Sequence, residues 1–121
     1  MAHILLAEDE EVLRMLVVDT LEDEGYVIDE ACDGEEAYEL LKKHSYDLII
    51  LDYMMPVYTG LELIKMIREE HIQTKIMMLS AKSQTSEQQK VLDAGADYFM
   101  SKPFSPTELV KRIEEILGEA E

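Results

Sequence analysis

Four short runs of apolar residues, none alternating with polar residues, constrain the fold of this chain more than any other feature. They are Ile4-Leu5-Leu6-Ala7, Leu48-Ile49-Ile50-Leu51, Ile76-Met77-Met78-Leu79 and Tyr98-Phe99-Met100. A strand without alternation is expected to be buried on both faces, which is typical of parallel strands covered by helices on each side. A weaker and more polar run, Tyr26-Val27-Ile28-Asp29-Glu30, predicts a fifth strand at a sheet edge.

Amphipathic segments between these runs predict helices. In the helix expected over residues 10–24, one face is predicted to be buried and the face carrying Met15 and Val18 to be exposed. The predicted buried face consists of Leu13, Leu16, Val17, Thr20 and Leu21. The last helix is expected to start at Pro106 and to end before Gly118.

Five β–α units without a linker or a repeat indicate an α/β protein. Right-handed crossovers favour a flavodoxin-like, doubly wound (βα)5 fold with a five-stranded parallel sheet in the order 2-1-3-4-5. The 121 residues suffice for one core and not for two ordinary ones, so residues 1–121 are interpreted as a single domain.

The helix predicted over residues 85–94 differs from the others. Val91 and Leu92 are its only large apolar side chains. Little buried surface implies weak docking and a low free energy of local opening. We therefore hypothesise that this helix and the loop before it form the mobile part of the fold, with faster hydrogen exchange than the strand at 48–51.

Charge and cysteine content exclude several classes of function. Twenty-seven Asp and Glu against 11 Lys and Arg give a formal net charge of −16, which repels phosphate backbones and anionic lipid, so direct nucleic-acid binding is not expected. No apolar run approaches the roughly 20 residues that span a bilayer, and the N-terminus lacks the layout of a signal peptide. The single Cys32 cannot form an internal disulfide, so a reducing, cytoplasmic setting is expected.

Polar residues follow each of the four apolar runs. They are Glu8-Asp9-Glu10, Asp52, Ser80 and Ser101-Lys102-Pro103. Carboxyl ends of parallel strands meet at one edge, and this is the edge at which such sheets bind ligands. Because strands 1 and 3 flank the switch point of the sheet, we expect Glu8, Asp9 and Asp52 to lie within a few ångströms of one another.

Three carboxylates in one cleft repel each other unless a cation joins them. The site offers few protein oxygens and leaves room for water and a phosphate. This favours Mg²⁺ over Ca²⁺, which is usually surrounded by more protein ligands. With the ammonium of Lys102 and the hydroxyl of Ser80, this set predicts a phosphoryl-transfer site in which Asp52 is the nucleophile. Each element alone is more often a solvated loop, a cap or a turn, but four of them at one edge favour the site.

The chain resembles a response-regulator receiver domain from end to end. The matching segments are Ile4-Leu5-Leu6-Ala7-Glu8-Asp9-Glu10, Asp47-Leu48-Ile49-Ile50-Leu51-Asp52-Tyr53-Met54-Met55-Pro56, Leu79-Ser80-Ala81, and Ala94-Gly95-Ala96-Asp97-Tyr98-Phe99-Met100-Ser101-Lys102-Pro103-Phe104. Order, spacing and strand context agree in all four.

This resemblance implies that Asp52 receives a phosphoryl group from a histidine of a sensor histidine kinase or phosphotransfer protein. Asp9 is similar to a direct Mg²⁺ ligand, Glu8 to an outer ligand acting partly through water, and Met54 to the residue whose backbone carbonyl is a third contact. Lys102 resembles the lysine that pairs with the phosphoryl oxygens, and the peptide bond that follows it is expected to be cis.

The resemblance also implies a switch. Ser80 is similar to the hydroxyl that closes on the phosphate, and Phe99 to the aromatic residue that turns inward behind it. Phosphorylation would then bias a two-state equilibrium of the surface formed by the 85–94 helix, the last strand and the last helix. That surface is expected to signal to a downstream protein or an output domain, and a homodimer formed on phosphorylation remains open.

The chemistry expected of the chain is confined to its own phosphorylation and dephosphorylation, without turnover of a separate substrate. Met54 cannot orient an attacking water as an amide or a carboxylate could, and Lys82 would not draw a base towards the site. These two residues predict slow self-dephosphorylation. Val57 stands where the family commonly has glycine, which removes easy access to positive φ in that loop.

Three rival interpretations come from other classes. A flavin carrier would need a hydroxyl- and glycine-rich phosphate loop where Glu8-Asp9-Glu10 stands, and an aspartate-nucleophile phosphatase would need a carboxylate in place of Met54. A non-phosphorylated, receiver-like protein-binding module would have lost Asp52 or Lys102, yet it stays open as the alternative. The sequence leaves undefined the kinase, the target, and whether the chain is a complete regulator or part of a longer one.

Overall fold

A computed structural model of the protein describes residues 2–81 and 85–119. Within these ranges strands and helices alternate along the chain. They are β1 His3–Ala7, α1 Glu11–Asp23, β2 Val27–Ala31, α2 Gly34–Lys43, β3 Leu48–Asp52, α3 Gly60–Glu69, β4 Lys75–Ser80, α4 Thr85–Ala94, β5 Tyr98–Ser101 and α5 Pro106–Glu119. In the part of the chain so described, no helix has both the length and the apolar character needed to cross a bilayer.

The strands form one parallel sheet in the order β2-β1-β3-β4-β5, which confirms the predicted topology. Side chains that alternate along each central strand enter two different cores. Leu5 and Ile49 pack with residues of α2, α3 and α4, whereas Ile4, Leu6 and Ile50 pack with residues of α1 and α5. Every residue of the apolar runs in β1, β3 and β4 is buried, so no polar side chain occurs within these runs before the carboxyl edge.

The two edge strands are less enclosed. The predicted polar strand is β2, and its position at an edge is confirmed. The prediction that Tyr98, Phe99 and Met100 would be buried on both faces is wrong, because all three are only partly buried. β5 has a neighbouring strand on one side only, and the adjacent helix α4 has Val91 as its one fully enclosed large apolar side chain among those described.

Two details of the predicted helices are also wrong. In α1 the buried side chains are Val17, Val18 and Leu21, whereas Leu16 is 45 % exposed. Val18 is enclosed because α1 packs against both the sheet and α5, so its buried face is wider than one stripe. Gly118 does not follow the last helix, because α5 continues through it to Glu119.

Arg68, in the last turn of α3, connects this helix to two turns. Its guanidinium donates hydrogen bonds to the backbone carbonyl oxygens of Ile72 at 2.7 Å and Thr74 at 2.9 Å, in the α3–β4 turn. It also donates to the carbonyl of Gly95 at 2.8 and 3.1 Å and to the carboxylate of Asp97 at 3.0 Å, in the α4–β5 turn. One side chain therefore joins the amino-terminal approaches of β4 and β5.

Candidate functional site

The ends of β1 and β3 lie side by side and bring the site together. Ala7 is paired with Leu51 in the parallel register, so the residues that follow, Glu8 and Asp52, leave the sheet next to each other. The backbone N–H of Glu8 also donates to the carbonyl of Ala31 at the end of β2. The apolar runs thus determine where the acidic residues emerge.

Glu8, Asp9 and Asp52 form a cluster in which one carboxylate oxygen from each residue lies within 4.8 Å of the others. Glu8 is 0 % and Asp52 6 % exposed, whereas Asp9 is open to solvent. The predicted convergence of these three carboxylates is confirmed. An all-oxygen donor set with one open side fits a hard divalent cation such as Mg²⁺.

Lys102 reaches the cluster from the end of β5. Its Nζ donates hydrogen bonds to Glu8 Oε1 and to Asp52 Oδ1, both at 2.9 Å. Its backbone N–H donates to the carbonyl of Ser80, which fixes the segment against the end of β4. The peptide bond between Lys102 and Pro103 is cis, as expected.

One ammonium does not neutralise two enclosed carboxylates. Burial raises the pKa of Glu8 to about 7, with the hydrogen bond from Lys102 opposing the rise and the nearby charge of Asp52 adding to it. Burial likewise raises the pKa of Asp52 above its ordinary value, against the influence of Lys102. Burial lowers the pKa of Lys102, but its two hydrogen bonds to the carboxylates outweigh this and raise it overall. The cluster therefore favours an added positive charge, which a proton or a metal ion supplies.

The burial of Glu8 beside Asp52 predicts a pH dependence of stability in metal-free protein. The pKa of Glu8 is higher in the folded than in the unfolded chain, so between about pH 4.5 and 7 the folded state binds more protons. The contribution of Glu8 to the free energy of unfolding is then complete below pH 4.5 and is lost as the pH rises through 7, by at most about 1.4 kcal/mol per pH unit. Urea unfolding across this range in EDTA measures the slope, and Glu8→Gln should flatten it. An unchanged slope in that variant would contradict the assignment.

The remaining predicted site residues occupy different environments. Ser80 is buried at the end of β4 beside Ser101, and Phe99 is partly buried against the core beneath α2, α3 and α4. The side chain of Met54 is exposed, and the role of its carbonyl as a metal ligand stays a prediction. Lys82 lies outside the described residues.

The sequence did not reveal a contact between the site and α4. The hydroxyl of Tyr53, the residue after Asp52, donates a hydrogen bond to Glu87 Oε2 at 3.2 Å. The loop that leaves the acidic cluster is thereby joined to the helix predicted to move. A tyrosine next to Asp52 was visible in the sequence, but nothing there indicated its partner 34 residues away.

The loop between β3 and α3 contains a strained residue. Val57 has a φ of +72°, and the N–H of Tyr58 donates to the carbonyl of Pro56 at 2.9 Å, which closes a γ-turn of the rare positive-φ kind. The start of α2 lies against this turn, because the N–H of Gly34 donates to the carbonyl of Pro56 at 3.4 Å and a Cβ on Gly34 would come within 2.6 Å of Tyr58 Cβ. The loop therefore keeps a positive φ without the glycine that would adopt it freely.

Replacing the strained residue should stabilise the protein. We expect Val57→Gly to raise the free energy of unfolding by roughly 1 kcal/mol, because glycine adopts positive φ without the clash that a β-branched residue suffers. Little apolar burial is lost, since Val57 is 59 % exposed. Chemical denaturation measures the change, with Val12→Gly in α1 as the matched control, which should destabilise the protein by about 0.5 kcal/mol. A loss of stability in both variants would show that the backbone of Val57 is not strained.

Comparison with known proteins agrees with this geometry. The sequence model of the family described as "Response regulator receiver domain" matches residues 4–114. The chain belongs to the response regulator receiver domains. It is similar to the transcriptional regulatory protein DltR of Streptococcus agalactiae, with 41% identity over 92% of this chain and 50% of that protein.

Solved receiver structures have the same fold. The Francisella response regulator 1452 receiver domain superimposes with a TM-score of 0.95 and 31% identity, covering 100% of both chains. The chemotaxis response regulator CheY4 of Vibrio cholerae superimposes with a TM-score of 0.92 and 36% identity, over 96% of this chain and 98% of that one. The chain spans about half the length of the curated relatives it matches. The family match and these structures give the chain the role of a phospho-acceptor receiver domain.

Proposed function

We propose that Asp52 is the residue that accepts the phosphoryl group, from a phosphohistidine of a sensor histidine kinase or phosphotransfer protein. The observation that supports this most strongly is the position of Lys102 Nζ, 2.9 Å from both Asp52 and Glu8, beside the open carboxylate of Asp9. A nucleophile, a fixed cation and further oxygen ligands thus share one edge of the sheet.

The reaction is a displacement at phosphorus. A carboxylate oxygen of Asp52 forms the new O–P bond as the N–P bond to the donor histidine breaks, and the electron pair of that bond stays on the imidazole. Lys102 is already hydrogen-bonded to Asp52 and transfers part of its hydrogen bonding to the phosphoryl oxygens. Glu8, Asp9 and Asp52, with the carbonyl of Met54, would hold Mg²⁺. When bound, Mg²⁺ supplies positive charge to the phosphoryl oxygens.

The signal leaves the site through Ser80 and Phe99. The hydroxyl of Ser80 gains an acceptor when Asp52 carries a phosphoryl group, and movement of its loop makes room for Phe99. The contact of Tyr53 with Glu87 provides a second connection from the site to α4. The responding surface consists of α4, β5 and α5.

Residues 1–121 act in this proposal as one receiver unit within a two-component pathway, in the cytoplasm, where the exposed thiol of Cys32 stays reduced. The domain would signal to a downstream protein or to an output domain without binding nucleic acid or membrane itself. Two phosphorylated copies would also pair through the responding surface. Size-exclusion chromatography of the phosphorylated and unphosphorylated chain tests this pairing.

Incubation with acetyl phosphate and Mg²⁺, followed by intact-mass spectrometry, tests the proposed function. The wild-type chain should gain the mass of one phosphoryl group, and EDTA should prevent the gain. Asp52→Asn should gain nothing while keeping its fold by circular dichroism. If the wild-type chain stayed unmodified by acetyl phosphate and by a phosphorylated kinase domain, the non-phosphorylated protein-binding module would replace this proposal.

The exposed side chain of Met54 predicts a long lifetime for phospho-Asp52. Met54→Asn should shorten that lifetime by about tenfold, because a positioned amide orients the attacking water where the thioether of methionine does not. The decay of the mass-shifted species measures the lifetime, after gel filtration has removed acetyl phosphate and exchanged the protein into buffer that contains Mg²⁺. Leu92→Asn, on the exposed side of α4, is the matched control and should leave the decay unchanged. Equal lifetimes in Met54→Asn and wild type would contradict the assignment.

A further inference from the structure

Arg14 contacts the acidic cluster from the first turns of α1. Its side chain is 17 % exposed, well enclosed for an arginine on an outer helix. Nη1 donates a hydrogen bond to the backbone carbonyl oxygen of Glu8 at 2.8 Å, and Nε donates to Glu30 Oε1 at 3.3 Å. The guanidinium thus joins the point where the chain leaves β1 to the end of β2.

The carbonyl that Arg14 binds belongs to the peptide between Glu8 and Asp9. The preceding N–H, that of Glu8, donates to Ala31 of β2 at 3.0 Å, so the backbone around Glu8 is held on both sides. The orientation of this peptide determines the directions in which the carboxylates of Glu8 and Asp9 leave the backbone. Neither carboxylate is bonded to Arg14, so Arg14 acts on the cluster only through the backbone and through its charge.

We infer that Arg14 is a positioning residue for the cluster of Glu8, Asp9 and Asp52, and that its hydrogen bond to the Glu8 carbonyl sets the affinity of the cluster for Mg²⁺. The inference rests on the proposed function, since it assigns a metal to these carboxylates. Partners that orient metal ligands typically change affinity by about 10- to 100-fold when they are removed.

The charge and the hydrogen bond of Arg14 predict opposite effects. As a charge alone, Arg14 repels Mg²⁺, so Arg14→Met would bind the metal more tightly and Arg14→Lys would bind it as the wild type does. As a positioning residue, Arg14 strengthens binding, and both variants bind more weakly. A lysine ammonium lacks the planar fork that reaches the Glu8 carbonyl and Glu30 together.

Calorimetric titration of the full chain with MgCl₂ separates these cases. We expect the dissociation constant to rise about tenfold in both Arg14→Lys and Arg14→Met. Lys43→Met, at the exposed C-terminal end of α2, removes the same charge and should leave the constant within a factor of about two of the wild-type value. Arg14→Lys keeps the measurement interpretable should Arg14→Met fail to fold.

A second readout separates positioning from a general loss of structure. At saturating Mg²⁺ the rate of phosphorylation by acetyl phosphate should return close to the wild-type rate in Arg14→Lys, because Asp52 and Lys102 are unchanged. Unchanged or tighter Mg²⁺ binding in the Arg14 variants would overturn this inference while leaving phosphorylation of the wild type intact. A wild-type chain that neither binds Mg²⁺ nor gains a phosphoryl group would instead overturn the proposed function.

Discussion

Lys102→Met is expected to slow phosphorylation of Asp52 by at least about 100-fold at saturating Mg²⁺, because it removes the fixed charge that receives the phosphoryl oxygens. The ammonium lies 2.9 Å from Asp52 Oδ1, and its backbone is held by Ser80, so it is in place before the donor arrives. No other Lys or Arg among the described residues donates a side-chain hydrogen bond to Asp52 in the structure.

The same substitution should not weaken binding of Mg²⁺. Loss of Lys102 leaves Glu8 and Asp52 facing each other with no shared counter-charge, so the metal meets less repulsion and binds equally or more tightly. Initial rates from intact-mass spectrometry at several Mg²⁺ concentrations separate the two effects, with Lys111→Met on α5 as the matched control. A Lys102→Met chain that is phosphorylated at the wild-type rate would contradict the role assigned to this ammonium.

Arg68→Met is expected to lower the free energy of unfolding by about 3 kcal/mol, because it leaves several partly buried acceptors without their donor. Two of these acceptors are the carbonyls of Ile72 and Gly95, and a third is the carbonyl of Thr74. Methionine keeps much of the aliphatic volume, so the loss reports hydrogen bonds more than packing.

Urea denaturation measures this loss, and Arg112→Met is the matched control. Arg112 lies over the ring of Tyr98 at 5.3 Å, so its removal should cost at most about 1 kcal/mol. Equal urea midpoints for the two variants would show that the hydrogen bonds of Arg68 contribute no more to the free energy of unfolding than the contact of Arg112 with Tyr98. The role of Arg68 in joining the α3–β4 and α4–β5 turns would then be wrong.

The contacts of Arg68 also bear on the proposed mobility of α4. In this helix Val91 is fully buried and Leu92 is exposed, so α4 buries little apolar surface against the rest of the domain. Its C-terminal turn is held through the hydrogen bonds from Arg68 to Gly95. Fast hydrogen exchange in α4 relative to β3 stays a prediction, and the slowest amides of α4 should lie near Gly95.

The central sheet could be predicted because the apolar runs in its strands include no polar residue on either face. In β1, β3 and β4 the buried runs leave one arrangement of helices on both sides, and the topology follows from chirality. The burial of β5 could not be predicted, because an apolar run does not reveal whether a strand has one neighbouring strand or two. The buried face of α1 could not be predicted in full, because its width depends on packing against α5, which is distant in sequence.

The carboxylates and Lys102 could be predicted because strand ends specify their positions directly. Contacts between side chains of different elements could not, since they depend on the final packing. The link from Tyr53 to Glu87 and the hydrogen bond from Arg14 to Glu8 are of this kind. The positive φ of Val57 was also beyond the sequence, because the residue itself disfavours the conformation that its neighbours impose.

We propose that Asp52, and no other residue, carries the phosphoryl group. Reduction of the phosphorylated chain with borohydride converts an aspartyl phosphate to homoserine, and peptide sequencing by mass spectrometry then locates the altered residue. We expect homoserine at position 52 alone, only after phosphorylation in the presence of Mg²⁺. Homoserine at position 9, a stable phosphate on Ser80, or an unaltered Asp52 in a chain that has gained a phosphoryl group would contradict the claim.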